Sequence, residues 1–362
     1  MRPQLERRQI NMEILILGGT GAMGAHLCSL LAERGDKCVV TSRQMQINTP
    51  QITYLQGNAH DNIWLSNILK QKYWDAIVDF MGYNTPEFRQ RYTLLLESTK
   101  HYIFLSSARV YARSDFPITE ESPRLLDVCD DKEYLGTDEY ALSKARQEDI
   151  LKKSEYDNWT IIRPYVTYSE IRLQLSPAEK EYWLYGALHG KTIFFSKDIA
   201  DKYTTLTYGR DVARGIVALI GKKDALREAF HITVSESHRW SKILNNYLDV
   251  IEEAKGKRPK VRMLEHWLPV IGGSVPQVKW DRLYDRRFDN SKINRFIDTT
   301  TFKPTLQTMS ECLTEFMKKP QFRQINWEFE AIKDKITWEI TNPIDLYKNH
   351  FLKKYIRIRL GI

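Results

Sequence analysis

The chain has 362 residues, 42% of them hydrophobic, and a formal net charge of +8. This is enough apolar material for one large core or two coupled ones, and no apolar run approaches the roughly 20 residues that a bilayer-spanning helix needs. The 54 basic residues are interspersed among 46 acidic ones, so the charge favours a charged ligand or simple solubility over nucleic-acid binding.

Residues 1–11 are polar and basic and contain no apolar segment. They predict a disordered N-terminus and not a secretory signal. The four cysteines, Cys28, Cys38, Cys129 and Cys312, show no paired spacing. This pattern favours free thiols in a reducing cytoplasm over disulfides or a metal site, so we expect no bound metal.

An apolar run followed by closely spaced glycines forms the stretch EILILGGTGAMGAHLCSLLAERG, from Glu13 to Gly35. The run over 14–17 predicts a strand buried on both faces, and the apolar spacing over 22–34 predicts a helix that ends at Gly35. A glycine turn between a strand and a helix presents backbone N–H groups and the positive helix end to a pyrophosphate. A tight turn with a purely structural role is the alternative.

The spacing of these glycines narrows the interpretation. Gly18, Gly21 and Gly24 stand three apart, while Gly19, Gly21 and Gly24 also satisfy the general dinucleotide fingerprint. The residues predicted to hold a dinucleotide at this turn are Gly18, Thr20, Gly21, Ala22, Met23 and Gly24.

Strand-like and helix-like segments alternate through the first half of the chain. Strands are predicted over 37–41, 52–55, 75–80, 101–105 and 159–163, with helices over 62–71 and 87–99. This alternation predicts an α/β fold with a doubly wound parallel sheet, the Rossmann fold. Beyond Pro164 the rhythm weakens, and a helix with short strands is predicted off the main sheet.

These patterns predict three parts of the chain. Residues 12–166 form a dinucleotide-binding domain, to which the chain returns near 207–235. Residues 167–206 and 236–320 form a smaller C-terminal α/β domain for the substrate, and residues 321–362 form a basic extension.

The end of the second strand bears on the choice of cofactor. An NAD site usually places Asp or Glu there to accept the ribose hydroxyls, whereas this chain has Ser42 and Arg43. A guanidinium and a hydroxyl can bind the 2′-phosphate of NADP, which a carboxylate would repel. We therefore expect NADP, or else NAD, with NADP favoured; the alternative is that Arg43 lies in a solvated loop.

A tyrosine and a lysine stand four apart in TDEYALSKARQEDI. The helical pattern places Tyr140 and Lys144 on one face, one turn apart. A neighbouring ammonium favours the phenolate and allows the tyrosine to exchange a proton with a substrate hydroxyl near neutral pH.

Five motifs in order carry a wider resemblance: GGTGAMG, LSSARVY, YALSK, IIRP and YGRDVARGI. Together with the segment DNSKINRFIDTTTFKPTLQTMSECLTEFM, they resemble the extended short-chain dehydrogenase/reductases of the nucleotide-sugar epimerase/dehydratase family. The resemblance covers residues 12–317.

The resemblance implies roles for individual residues. Ser107 would hydrogen-bond the reacting sugar oxygen, Tyr140 would exchange its proton, and Lys144 would hold the nicotinamide ribose and lower the pKa of Tyr140. Asn58 occupies the place of the family's adenine-binding aspartate. Further cofactor contacts are expected from Met81, Gly82 and Pro164.

Departures from the family pattern narrow the reaction. Family dehydratases carry an Asp-Glu pair just after the position of Ser107, where this chain has Ala108 and Arg109. GDP-fucose synthases place a cysteine at the position of Arg109. We therefore expect a 4-epimerase or a 4-ketoreductase acting on a nucleotide sugar.

The residues that bind the substrate diphosphate and the oligomeric state are inferred from the resemblance. The family often grips the substrate diphosphate with an arginine at the position of Thr204, and Lys202, Lys279 and Arg282 are candidate replacements. The resemblance also implies a homodimer through the helix that carries Tyr140.

Two alternatives concern function and the tail. NADP-sensing or RNA-binding relatives keep the glycine turn without the chemistry, and the intact Ser107, Tyr140 and Lys144 favour an enzyme over both. The basic, aromatic-rich tail over 342–362 is expected to pack on its own domain, with weak contact with a membrane surface or a partner as the alternative.

Overall fold

A seven-stranded sheet forms the centre of the computed structural model, which describes residues 11–361. The predicted disorder over 1–10 lies outside these residues. In chain order the strands are β1 (Glu13–Leu17), β2 (Lys37–Ser42), β3 (Ile52–Gln56), β4 (Ala76–Asp79), β5 (Tyr102–Leu105), β6 (Trp159–Pro164) and β7 (Glu228–Ile232). Their order across the sheet is β7-β6-β5-β4-β1-β2-β3, and every pairing is parallel. The predicted Rossmann-type sheet is confirmed.

Helices cover both faces of the sheet and build the region beside it. They are α1 (Gly24–Glu33), α2 (Asn62–Leu69), α3 (Thr85–Arg89), α4 (Tyr92–Glu97), α5 (Tyr140–Lys153), α6 (Lys180–Leu188), α7 (Gly209–Leu219), α8 (Trp240–Lys255), α9 (Thr305–Lys318), α10 (Trp327–Thr337), α11 (Pro343–Lys348) and α12 (Leu352–Leu360). Single-turn helices lie at Leu125–Val128, Lys132–Leu135, Lys197–Ala200 and Val275–Gln277.

Strand β1 shows how the sequence produces the two layers. Its residues Ile14, Leu15, Ile16 and Leu17 are fully buried. Ile14 and Ile16 pack into the core under α1 and α7, while Leu15 and Leu17 pack into the opposite core under α2 and α4. The strand order reverses between β1 and β4, and parallel sheets of this kind bind ligands at the carboxyl ends of the strands at such a point.

Two predicted helices differ from the structure. Helix α1 begins two residues later than predicted, and Gly35, with φ +91°, follows its end. The single helix predicted over 87–99 is wrong, because α3 and α4 are separate. Between them the Arg91 guanidinium turns inward and donates to the backbone carbonyls of Glu87, Ala59 and His60, so the chain leaves the helical path there.

The region beyond β6 has its own core. Short strands pair at 167–168 with 207–208, at 203–204 with 238–239, and at 193–196 with 261–264. Helices α6 and α8 meet through the rings of Trp183 and Tyr247, whose centroids are 4.6 Å apart. The division into domains stays a prediction.

The C-terminal tail packs against the same chain, as predicted. The Tyr185 hydroxyl donates to Asp345 at 2.9 Å, and the Lys191 ammonium lies 2.8 Å from Asp334. The Tyr355 hydroxyl donates to the other oxygen of Asp334 at 2.6 Å. Within residues 11–361, no helix has both the length and the apolar character to cross a membrane.

Candidate active site

The glycines of the turn between β1 and α1 differ in their surroundings: Gly24 is closely packed, whereas Gly21 faces open space. Gly18 has φ +70°, and its N–H donates to the Thr41 hydroxyl at 2.9 Å. A Cβ on Gly24 would lie 2.6 Å from the carbonyl oxygen of Gly19, whereas a Cβ on Gly21 would meet no protein atom within 4 Å. Gly21 thus faces a cavity that a side chain would fill, which fits a backbone cradle for a pyrophosphate.

The cavity beside this turn has a volume of about 510 Å³ and is closed on its far side by distant parts of the chain. Arg172 and Lys180 line it and are neutralised by Glu179 at 2.9 Å and Glu181 at 2.7 Å. Arg323 also lines it, its guanidinium has no ion-pair partner among residues 11–361, and its backbone N–H is held by Glu181 at 3.1 Å. An uncompensated positive charge therefore faces the glycine turn.

These opposite-wall residues were not among the predicted cofactor residues. They come from the loop before α6 and from the start of the extension, about 150 and 300 positions after the glycine turn. No local motif links segments so far apart, and the uncharged glycine turn itself does not reveal which cations face it.

The residues predicted to contact the adenosine ribose lie along the edge formed by β2 and β3. The Ser42 hydroxyl is hydrogen-bonded within its own turn to Gln44, and Asn58 accepts the backbone N–H of His60 at 3.2 Å. Arg43 is exposed and has no ion-pair partner in the described part of the chain. These three residues and Thr20 do not line the cavities near the turn, so their role stays a prediction.

The predicted catalytic residues converge on a second cavity of about 600 Å³. Tyr140 is the first residue of α5 and is 46% exposed, Lys144 lies one turn later and is buried, and Ser107 follows β5. Met81, Gly82 and Pro164 line the same cavity. Met23, Phe80, Arg172, Glu179 and Tyr182 line both cavities, so the two adjoin.

Lys144 is held between the ends of β4 and β5. Its ammonium donates to the carbonyl of Leu105 at 2.8 Å and to that of Met81 at 3.4 Å. Burial lowers the pKa of Lys144 to about 8, although the carboxylates of Asp79 and Glu148 oppose this effect. The lysine is thus charged at neutral pH but close to its titration point.

A buried carboxylate under α5, absent from the predicted site, holds this helix in place. Glu148 lies two turns after Tyr140 and accepts the Ser106 hydroxyl at 2.6 Å. The Arg163 guanidinium on β6 donates to both Glu148 oxygens, at 2.8 and 2.6 Å. Burial raises the pKa of Glu148, but Arg163 and Ser106 lower it further, and it stays below its ordinary value. Glu148 could have been found from the sequence, because it follows Lys144 by four residues and therefore lies on the same helix face.

Arg109 lies beside Tyr140, the predicted catalytic tyrosine. Its guanidinium carbon lies 5.3 Å from the centroid of the Tyr140 ring, and its Nη2 donates to Glu139 at 2.7 Å. The backbone N–H of Arg109 donates to the Ser107 hydroxyl at 3.2 Å. The Arg109 Nε is buried without a partner in the described chain.

The candidate diphosphate-binding residues lie in different parts of the structure. Arg282 lines the larger cavity, pairs with Asp281, donates to the Tyr165 hydroxyl at 3.1 Å and retains a buried, unpartnered Nε. Lys279 instead pairs with Asp131 at 2.8 Å, and Lys202 lines a different depression. Thr204 is fully buried away from the cleft. Of the three alternatives, Arg282 is the one that lines the cleft, and a role in binding the diphosphate stays a prediction.

A family model for the NAD dependent epimerase/dehydratase family matches residues 14–234, more than half of the chain. The protein belongs to this family. The matched segment carries the glycine turn, Ser107, Tyr140 and Lys144.

Individual relatives of the chain are distant. The chloroplast stem-loop binding protein of 41 kDa b from Arabidopsis thaliana is 25% identical over 237 residues, which cover 61% of this chain and 58% of that protein. A UDP-glucose 4-epimerase from Lactobacillus helveticus is 27% identical over 135 residues, which cover 31% and 41%. The chain thus spans about half the length of the curated relatives it matches.

Solved structures match the fold over most of the chain. The Bordetella bronchiseptica enzyme WbmG in complex with NAD has a TM-score of 0.65 and 18% identity, covering 87% of this chain and 97% of that one. UDP-glucuronic acid 4-epimerase from Bacillus cereus has a TM-score of 0.61 and 18% identity, covering 86% and 100%. At such identities the likeness establishes the fold.

The open space at Gly21 leads to a first prediction. Gly21→Val is expected to weaken dinucleotide binding at least tenfold, or about 1.4 kcal/mol, because its side chain would enter the cavity without touching the protein. Calorimetric titration with NADH and NADPH measures the affinity, and thermal unfolding should be nearly unchanged. In contrast, Gly24→Val should lose stability through its clash with Gly19. A folded Gly21→Val protein with the parent affinities would contradict the cradle.

Burial of the Lys144 charge leads to a second prediction. With a folded pKa of about 8 against 10.5 for a free lysine, the unfolded chain binds more protons between these values, so stability rises with pH there. Lys144→Met is therefore expected to raise the free energy of unfolding at pH 7 by at most roughly 3 kcal/mol, and the gain should vanish above pH 10.5.

Urea denaturation of the parent and the variant across this pH range measures the effect. Exposed Lys222→Met is the matched control and should show no such dependence. A variant that is less stable than the parent by the same amount at every pH would show that the buried charge is not the source of strain.

Proposed function

We propose that this protein is an NAD(P)-dependent nucleotide-sugar oxidoreductase that interconverts a sugar hydroxyl and a ketone, as a 4-epimerase or a 4-ketoreductase. The observation that carries the proposal is the position of Ser107, Tyr140 and Lys144 on one cavity that adjoins the glycine turn. This arrangement supports proton exchange by Tyr140 on one side of a cleft and dinucleotide binding on the other.

Each residue of the cleft has a separate role in the proposed reaction. A bound nicotinamide supplies the acceptor and donor of hydride. Tyr140 exchanges the proton of the sugar hydroxyl, and Ser107 hydrogen-bonds the same oxygen. Lys144 would hold the nicotinamide ribose, and the Arg109 guanidinium lies beside the Tyr140 ring.

The surroundings of Tyr140 argue against dehydration as the reaction. Loss of water needs an acid and a base beside the reacting carbons, whereas Ala108 is fully buried and Arg109 is a cation. Glu139, the carboxylate before Tyr140, already accepts hydrogen bonds from Arg109, the Tyr134 hydroxyl and the backbone N–H of Ala141. A carboxylate so occupied is a poor proton donor or acceptor for a substrate.

The identity of the cofactor, the oligomeric state and the location of the protein are also proposals. WbmG has been solved with NAD and, separately, with NAD and UDP, which supports a dinucleotide and a nucleotide-linked substrate. Arg43 at the end of β2 favours NADP for this chain. The homodimer through α5 and the cytoplasmic location stay predictions from the resemblance.

A second candidate function is recognition of an RNA stem-loop. The Arabidopsis relative is a stem-loop binding protein, and its match covers more of this chain than the match to the Lactobacillus epimerase does. The presence of Ser107, Tyr140 and Lys144 together favours the enzyme. A titration of labelled RNA hairpins against the protein distinguishes the two.

Mass spectrometry of reactions with a panel of nucleotide sugars tests the proposed activity. Interconversion of two 4-epimers without added cofactor would identify an epimerase, and reduction of a 4-keto sugar that consumes added NADPH or NADH would identify a reductase. Tight hairpin binding without turnover of any sugar would favour the second candidate.

The proposed role of Tyr140 gives a third prediction. Tyr140→Phe removes the phenolic proton and is expected to lower kcat about 10²–10⁴-fold, while cofactor affinity stays near that of the parent. Tyr73→Phe, at an exposed tyrosine outside the cleft, is the matched control. A near-native kcat in Tyr140→Phe would show that Tyr140 does not exchange the proton.

The cofactor preference gives a fourth prediction. If Arg43 binds the 2′-phosphate, Arg43→Ala should weaken NADPH binding by about 1.5–3 kcal/mol and leave NADH nearly unchanged. Titrations of both dinucleotides on the parent and the variant measure this difference. Exposed Arg89→Ala on α3 is the matched control. Equal parent affinities, or equal losses of both ligands, would return Arg43 to the solvated surface and favour NAD.

A further inference from the structure

The outer side of the C-terminal extension exposes a concentration of large apolar side chains. Seven of the 18 exposed large hydrophobic residues in the described chain fall within residues 336–360, which are less than a tenth of it. Trp338 is 87% exposed and Tyr347 is 74% exposed. We call this set the outer patch; its members are Ile336, Trp338, Ile340, Ile344, Tyr347, Ile356 and Leu360.

The two main parts of the outer patch adjoin in space. Lys353, Ile356, Arg357 and Leu360 follow the helical spacing i, i+3, i+4 and i+7 and form one exposed face of α12. The loop that carries Trp338 and Ile340 is tied to this helix. Within that loop the carbonyl of Glu339 accepts the Arg359 guanidinium, and the backbone N–H of Thr341 donates to the Tyr355 hydroxyl at 3.1 Å.

Trp338 combines exposure with an uncommon backbone conformation. It ends α10 with φ 61°, in the left-handed region that favours glycine or asparagine. A tryptophan there gains little from burial within its own chain. Its presence is explained if the indole is buried by something outside the molecule.

The acidic residues of the C-terminal extension all have hydrogen-bond or ion-pair partners. Each of its five acidic residues has a partner: Glu330 and Asp334 pair with Lys191, Glu339 accepts from Thr192, Asp345 accepts from Tyr185, and Glu328 pairs with Lys354.

The basic residues show the opposite arrangement. From residue 335 onward, four of them are exposed and have no ion-pair partner within residues 11–361: Lys335, Lys348, Lys353 and Arg357. Lysines therefore neutralise Glu328, Glu330 and Asp334, while Glu339 and Asp345 accept from neutral hydroxyls and keep their charge. The four exposed cations outnumber these two carboxylates, which leaves the outer side with an excess of positive charge interspersed with the apolar side chains.

We propose that the outer patch binds the surface of an anionic lipid membrane, with Trp338 and the isoleucines in the interface and the four cations against the headgroups. Aromatic rings, aliphatic side chains and uncompensated Lys and Arg on one face are the combination that such surfaces recognise. A second protein copy would present the same positive charge and repel the patch, so charge complementarity favours the lipid surface. The inference does not depend on the proposed reaction.

Co-sedimentation of the full chain with vesicles tests this site. The protein should bind vesicles of phosphatidylcholine with phosphatidylglycerol, should bind phosphatidylcholine alone much more weakly, and should be released by high salt. Lys353→Gln with Arg357→Gln should weaken binding roughly tenfold or more by removing headgroup contacts. Trp338→Asn, which suits the left-handed backbone, should weaken it by removing the interfacial ring.

Matched controls carry equivalent changes outside the extension. Ile63→Asn, and Lys222→Gln with Lys223→Gln, alter exposed residues and should leave vesicle binding unchanged. Equal thermal stability of all variants shows that each is folded. Absence of binding to anionic vesicles, or equal losses in patch and control variants, would overturn the proposal. Concentration-dependent self-association that Trp338→Asn abolishes, without vesicle binding, would assign the patch to a second copy and overturn it too.

Discussion

The geometry of the candidate active site depends on one buried ion pair, between Glu148 on α5 and Arg163 on β6. Tyr140, Lys144 and Glu148 follow each other at single-turn spacing, so the last fixes the rotation and height of the first two relative to the sheet. Loss of one partner from such a pair leaves an uncompensated buried charge, at about 3–5 kcal/mol. Ser106 joins the pair directly, and this contact also holds the end of β5 where Ser107 begins the cleft.

The cleft combines walls of different chemical character. On the sheet side it is backbone: the glycine turn offers N–H groups, and the carbonyls of Leu105 and Met81 hold Lys144. On the other side lie three arginines: Arg323 lines the cavity of the glycine turn and has no ion-pair partner in the described chain, while Arg109 and Arg282 line the larger cavity paired with Glu139 and Asp281. An anionic ligand suits the cavity of the glycine turn, because neutral donors and a fixed cation each stabilise negative charge in a partly desolvated site.

The extension links this cleft to the surface of the molecule. Its first residues place Arg323 at the cavity, four of its five acidic residues contact the rest of the protein, and the exposed cations from Lys335 onward lie among the residues of the outer patch. The inner contacts are buried and specific, as between Lys191 and Asp334, so the outer patch is presented on a fixed support. A rigid support of this kind lets a surface bind without an ordering penalty.

Local patterns in the sequence determined much of the fold and part of the site. The apolar run 14–17, the glycine turn and the four-residue spacing of Tyr140 and Lys144 are short-range features, and short-range geometry follows from backbone periodicity. They were enough to predict the parallel sheet and to place Tyr140 and Lys144 on one helix face, whereas the role of Ser107 beside them came from the family resemblance.

Tertiary structure alone decided what depends on contacts between distant segments. Arg91 breaks a predicted helix because it reaches carbonyls some 30 residues away, and Arg282 lines the cleft while Lys202 and Lys279 do not. The pairing of Glu148 with Arg163 and the approach of Arg323 to the glycine turn arise in the same way. Side-chain direction and long-range pairing are set by packing of the whole chain, and no periodicity within one segment encodes them.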